Sequence, residues 1–294
     1  MIDTNSPQSN DAKARQVHSE IGAGWEILAR AGYSAEIDED IEFIRSGGVN
    51  LMDTEQRLLK DLDQWCHCAI HLQCSGGKDL LSLWNMGAKK LIGIDISGTL
   101  IGYARQKSEA LGAPATWYCC DVLDTPHELD GSADLVYTGR GALMWMTDLT
   151  AWAHVVERLL GPGGTVLVFE GHPLDNLWQR EGKDFRLRPG GISYFPTHPN
   201  ENPGFPSSAV IRETNDDRER PKMLERCWRP GQVLNALASV GLEYVHFDEY
   251  PDLFWNEFYE MPQETAHRLP HTYSVMMRKR SSSWPVKRAE RGSR

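Results

Sequence analysis

The sequence predicts an α/β fold built on a doubly wound, mostly parallel sheet of seven strands. Three observations predict it. Short apolar runs alternate with amphipathic helical patterns between residues 68 and 172, which is how parallel strands and their crossover helices read in a chain. Acidic residues close two successive strand patterns, at Asp95 and Asp121, where an open α/β sheet holds its ligands. The alternation then stops, and residues 173–229 are dense in Pro, Gly, Asn and Arg. A structureless loop of that length is improbable inside a domain, so a folded capping insert is expected after the fifth strand.

The elements follow in order. Residues 11–31 read as a helix, with Val17, Ile21, Trp25 and Ile27 or Leu28 near one face. An acidic stretch follows at 36–43 with no element assigned to it, and residues 53–65 read as a second helix capped by Asp53. Residues 1–65 together form an N-terminal helical lid. The core, residues 66–279, opens with the strand 68–74, ending in Ser75-Gly76-Gly77. A helix from Asp79 stops at Gly87, a strand covers 90–95, and a helix over 99–111 stops at Gly112. Strands at 116–121, 133–139 and 165–172 surround a helix at 148–160. Within the insert, short strands are expected around Ile192–Phe195 and Ala209–Thr214. A helix at 229–241 and strands at 242–250 and 271–280 complete the core. Residues 280–294 form a basic, flexible tail.

Composition narrows the function. Hydrophobic residues make up 40% of 294, enough for a full core. The net charge is −10 although the last 17 residues hold seven Lys or Arg and one Glu, so the body is more acidic still. Phosphate binding needs clustered cations, so no nucleic-acid partner is expected. No apolar run reaches the ~18 residues of a membrane span, and the polar start carries no signal-peptide core, so no membrane partner and a cytoplasmic location are expected. The six cysteines are then expected to be reduced. Cys66, Cys68 and Cys74 fall on one strand face and His67 and His71 on the other. One extended segment so arranged cannot wrap a tetrahedral ion, and no metal is expected.

The chemistry is expected at three strand ends. Small residues in Gln73-Cys74-Ser75-Gly76-Gly77 let backbone approach a ligand closely. Asp95 is placed to bond a ribose diol. Asp121 is placed to accept from an adenine amino group, with Val122 against the ring.

From these residues the chain resembles the class I S-adenosylmethionine-dependent methyltransferases, over about residues 68–279. The segment from His71 to Ser97 is similar to a small-molecule branch whose glycine loop begins His-Leu-Gln-Cys. Phe43–Leu59, Trp228–Pro251 and Leu269–Lys279 are similar to it too. The resemblance implies an antiparallel last strand and S-adenosyl-L-methionine as cofactor. It implies cofactor contacts from Gln73, Cys74, Ser75, Gly76, Asp79, Asp95, Ile96, Asp121, Val122 and Thr138. The usual loop has an acid and three alternating glycines. Here those places hold His71, Gln73, Ser75 and Gly77, so only the last glycine remains. The place after the fourth strand reads Tyr137-Thr138-Gly139-Arg140. It lacks both the Pro-Pro-aromatic run of base-amine methyltransferases and the acids of metal-dependent catechol-type enzymes.

Methyl transfer aligns acceptor, methyl and sulfur and needs a base only when the acceptor must lose a proton. Glu170 and His172 share a face at the end of the fifth strand and are the expected catalytic pair. Arg140, Trp145 and Tyr194 are the expected acceptor contacts. The reading is a methyltransferase acting on a small molecule, with specialised metabolites the leading class. Two alternatives stay open: a protein or RNA methyltransferase, and a cofactor-binding regulatory or scaffold protein without transfer activity.

Overall fold

The computed structural model describes residues 7–181, 184–187, 193–196, 200–202, 223–254 and 263–281. The N-terminal part holds α1 (Pro7–Arg30), α2 (Ile37–Arg45), α3 (Asp53–Leu58) and α4 (Leu62–Trp65). Then come β1 (Cys68–Leu72), α5 (Lys78–Asn85), β2 (Lys90–Asp95), α6 (Gly98–Leu111), β3 (Ala115–Cys119), β4 (Ala133–Gly139), α7 (Leu149–Leu159) and β5 (Leu160–Gly171). The insert contributes β6 (Trp178–Glu181), β7 (Asp184–Leu187), β8 (Asn200–Asn202) and β9 (Met223–Glu225). The chain closes with α8 (Pro230–Ser239), β10 (Glu243–Tyr250), α9 (Gln263–Ala266) and β11 (Thr272–Arg278).

Seven strands form one sheet in the order β3-β2-β1-β4-β5-β11-β10. β11 runs antiparallel to both β5 and β10, and the other pairings are parallel. The expected architecture is therefore the one observed. Strand order reverses between β1 and β4, and this switch point opens the crevice that receives a ligand.

Period-two alternation places two apolar layers on the sheet. Ile70, Ile92, Val136, Val166 and Val168 face α7 and α8, where Trp152, Val156, Val233 and Leu237 are buried. Ala69, Leu91, Leu135, Tyr137 and Leu167 face the other way, towards α5 and α6. Caps fix the helix ends. Asp148 accepts from Thr150 N and Ala151 N at the start of α7, and Ser97 from Leu100 N at the start of α6.

Local readings differ from the structure in four places. The acidic stretch before Gly47 is helix α2, because Ile41 and Ile44 bury on one side while Asp38, Glu39 and Glu42 stay outside. Residues 53–65 form two short helices rather than one. Asp61 adopts a left-handed φ of 55° between them, which lets both Leu59 and Leu62 reach the core. Ser193–Pro196 is not strand. β5 begins before Thr165, taking in the Gly-Pro-Gly-Gly turn. The expected strand at Ala209–Thr214 and nearly all of the basic tail lie outside the described residues. No described helix is long and apolar enough to cross a membrane.

Candidate active site

The turn after β1 carries the first wall of the site. Gln73, Ser75 and Gly77 all have positive φ, of 58°, 50° and 81°. Two non-glycine residues in that region cost about 1–3 kcal/mol each. The turn is held by Cys74 N donating to Ile94 O and Gly77 N to Cys74 O, both at 3.0 Å. Gly77 cannot be replaced cheaply, since an added Cβ would meet the Trp117 ring at 2.6 Å and Ala104 Cβ at 2.8 Å. Gln73 Nε2 donates to Ala142 O at 2.7 Å, while its Oε1 is buried without a partner.

Asp95 ends β2 directly across from this turn. One carboxylate oxygen accepts from Ser75 N at 2.8 Å and the other from Ser97 N at 2.9 Å. Burial pushes its carboxyl up to about 6 against the pull of these N–H donors. Each oxygen keeps a lone pair for a further donor.

Asp121, past the end of β3, accepts from Leu123 N through one oxygen and meets His18 Nδ1 of α1 at 2.8 Å through the other. Burial would raise this carboxyl, but the His18 bond and charge hold it below its ordinary value. Thr147 N donates to His18 Nε2 at 3.2 Å. With Nε2 accepting from Thr147 N, the ring proton on Nδ1 donates to Asp121.

A buried polar wall lies behind Asp79. Asn50 Nδ2 donates to Asp79 Oδ1 at 2.5 Å, and Arg140 Nη1 reaches the same oxygen at 3.4 Å. Arg140 Nη2 also donates to Asn50 O at 2.5 Å and to Glu55 Oε2 at 3.2 Å. Tyr137 donates to the other oxygen of Glu55 at 2.5 Å. His71 stacks edge-on to Tyr137, with ring centroids 4.7 Å apart. Burial pushes His71 down to about 4, so it is neutral near pH 7.

These groups surround a cavity of about 240 Å³. Of the residues expected to hold a cofactor, Gln73, Cys74, Ser75, Gly76, Asp79, Asp95, Ile96, Asp121 and Val122 line it. Thr138 does not: it is fully buried and donates to Leu72 O at 3.4 Å. Arg140 and Trp145 line the cavity, but the guanidinium is already engaged by Glu55, Asp79 and Asn50. Tyr194 lies elsewhere, stacked over His172 with centroids 6.5 Å apart. Glu170 and His172 are also outside the lining. Glu170 accepts from Gly141 N, Ala142 N and Leu143 N at 2.7–2.8 Å. His172 Nε2 meets Glu249 at 2.8 Å, and its Nδ1 accepts from Leu174 N.

Sequence reasoning missed His18, Tyr33, Asn50, His71, Lys78 and the methionines at 144 and 146, all on the cavity wall. His18, Ile21 and Trp25 repeat at helical spacing on α1 and all face the cavity. That spacing was visible in the chain. What it faces was not. Within residues 1–65, the cavity takes its lining from α1, the Tyr33–Ser34 turn and Asn50. Leu59 and Leu62 pack in the core instead.

Residues 69–164 match the family model of a methyltransferase domain. This stretch is similar to methyltransferase domains. It contains the turn after β1, Asp95, Asp121 and the cavity-lining run to Met146, whereas α1 and the insert lie outside it. Solved structures share the fold of the methyltransferase domain. One, from Listeria monocytogenes, is provisionally described as an S-adenosylmethionine-dependent methyltransferase; it is 17% identical, with a TM-score of 0.57 over 77% of this chain and 96% of its own. An S-adenosylmethionine-dependent methyltransferase from Mesorhizobium loti is 20% identical, with a TM-score of 0.55 over the same 77% and 96%. A geranyl diphosphate C-methyltransferase from Streptomyces coelicolor A3(2) is 14% identical, with a TM-score of 0.51 over 77% of this chain and 75% of its own. No curated protein matches the chain.

Proposed function

We propose that the protein is an S-adenosylmethionine-dependent methyltransferase that acts on a small molecule without a catalytic metal. The placement of Asp95 carries this reading. Its carboxylate ends β2 beside the turn after β1, 20 residues after Ser75, held by two backbone N–H groups with lone pairs to spare. That arrangement fits a ribose diol. Asp121 and Val122 fit the adenine. The unpartnered Oε1 of Gln73 suits an ammonium group, replacing the missing loop acid. Asp79, Asp95 and Asp121 give the wall an acidic character that suits a cationic ligand.

When bound, S-adenosylmethionine would supply a sulfonium methyl group that an acceptor's lone pair takes in line, with the thioether S-adenosylhomocysteine leaving. The protein's part is alignment and exclusion of water. Trp25 and Trp145, edge to face with centroids 5.5 Å apart, and Tyr33 against Trp25 at 5.3 Å cover the cavity from the lid side. A cavity partly roofed by these rings favours a small acceptor over a protein or RNA chain. Neither cavity histidine is poised as a strong base, since His71 is held neutral by burial and His18 already bridges Asp121 and Thr147. The acceptor on this reading brings its own lone pair.

Calorimetry with S-adenosylhomocysteine, followed by transfer of labelled methyl to a small-molecule panel, tRNA and protein, tests the proposal. Binding together with transfer to a small molecule is the expected result. Absence of binding ends the reading. Transfer confined to tRNA or protein replaces the small-molecule acceptor, and binding with no transfer favours the scaffold alternative.

A further inference from the structure

One segment carries the cavity wall on the side of β4 and is held from three directions. Gly139, Arg140, Gly141, Ala142, Met144, Trp145 and Met146 all line the cavity. The lid grips its far end through His18 and Thr147. The return of the insert grips its middle, with Arg226 N donating to Met144 O at 2.7 Å and Trp228 Nε1 to Met146 O at 2.8 Å. At its near end, three consecutive N–H groups converge on the single carboxylate of Glu170.

The Glu170 grip differs from the others in kind. The lid and insert grips use groups whose charge does not change, or a histidine bonded on both nitrogens. The Glu170 side chain is 4% exposed, reaches no cavity surface, and has both oxygens occupied. A base acting on an acceptor must reach the proton it takes. A carboxylate enclosed by backbone donors instead shapes the backbone that donates to it.

We propose that Glu170 is the positioning residue of the acceptor wall, its carboxylate holding Gly141–Leu143 so that Met144, Trp145 and Met146 face the cavity. The inference rests on the methyltransferase reading for the word acceptor, but the hold itself is independent of it. Ionised Glu170 accepts from all three amides. Protonated Glu170 turns one oxygen into a hydroxyl donor, and Gly141, which bonds Oε2 while Ala142 and Leu143 share Oε1, loses its acceptor first. Burial pushes the carboxyl up to about 7, so the hold changes within the ordinary working range. On β11 the facing residue is Tyr273, paired in register with Glu170, and burial keeps its hydroxyl protonated. From β4 the neighbour is Gly139, paired with Phe169, and no charged side chain contributes to the shift.

The test is a titration of the wild-type chain by amide NMR between pH 5.5 and 8.5, with and without S-adenosylhomocysteine. The Gly141, Ala142 and Leu143 amide protons should shift together with one midpoint near 7. The protection factor of Gly141 should fall about tenfold when the pH drops one unit below that midpoint. Glu170→Gln should abolish the common titration, since its amide NH₂ cannot accept from Gly141. Glu170→Asp should restore it in part. Independent titration of the three amides, or no titration at all, overturns the proposal. Failure of S-adenosylhomocysteine to bind, with the common titration intact, would sink the cofactor reading and leave Glu170's role in the backbone standing.

Discussion

His18 Nδ1 on α1 and Asp121 Oδ2 beyond β3 lie 2.8 Å apart across 103 residues of chain. This contact joins α1 to the strand end that we assign to the adenine. The same ring, through Nε2, accepts from Thr147 N. One imidazole thus ties α1, the end of β3 and the loop before α7. Replacing His18 with Ala should remove a bond to a charged group, worth about 1.5–3 kcal/mol net. Limited proteolysis should then cut α1 faster while β1–β5 persist in a protected fragment. Unchanged cleavage would mean that α1 is held by its apolar face alone.

Asp95→Ala should lower affinity for S-adenosylhomocysteine at least tenfold, the loss expected for one charge-assisted bond of about 1.5–3 kcal/mol. The pH dependence has a definite sign. In the proposed role ligand hydroxyls donate to the ionised carboxylate, and burial pushes the carboxyl up to about 6. Affinity should therefore be full above pH 6 and fall as pH drops through it. Calorimetry at pH 5 and pH 8 checks this, and equal affinities would dissociate Asp95 from the ligand.

Asp121→Asn keeps a carbonyl oxygen for one of the two donors now served, Leu123 N and His18 Nδ1–H. Asp121→Leu keeps neither. The Leu variant should lose more S-adenosylhomocysteine affinity than the Asn variant, and its α1 should become protease-sensitive as in His18→Ala. Equal affinity in both variants would count against adenine recognition by this side chain.

His71 is buried and neutral, its imidazole pushed down to about 4 by desolvation. A folded-state value below the unfolded ~6.5 means stability is full above pH 6.5 and is lost as pH falls towards 4. The shift corresponds to roughly 2–4 kcal/mol. Thermal melts of His71→Asn should fall less steeply than wild type over that interval. Parallel slopes for the two proteins would show that His71 charges freely in the folded state.

Gly77→Ala forces a side chain into a φ of 81° and against Trp117 and Ala104. Overpacking of this kind costs about 1–3 kcal/mol, and the left-handed backbone adds to it. A lower urea midpoint together with weaker S-adenosylhomocysteine binding is expected, because the same turn bonds Asp95 through Ser75 N.

Most of the sheet was legible in the sequence because its signals are local. Strands such as Leu91–Asp95 are short apolar runs that end in an acid. Helices such as α6 stop at a glycine, here Gly112 with a φ of 65°. A period of two or 3.6 and a turn residue are properties of neighbouring residues, so the chain displays them directly. For the same reason the turn at Gln73–Gly77, Asp95 and Asp121 could be named from their timing along the chain. Helix α2 was not legible as a helix, because its acidic face masks the two isoleucines that bury only once the sheet is present. Glu170 and His172 looked paired because alternate strand residues share a face. What each one meets depends on the loop after β4 and on β10, 27 or more residues away in sequence. His18, Asn50 and Glu55 carry no local signal for the roles they take. Their partners, Asp121, Asp79 and Tyr137, are 103, 29 and 82 residues away. The sequence by itself determined the order of strands and helices and the acids at their ends. Only the tertiary structure decided which carboxylates face the cavity and which are spent on backbone amides, since burial and hydrogen-bond partners arise when distant segments meet.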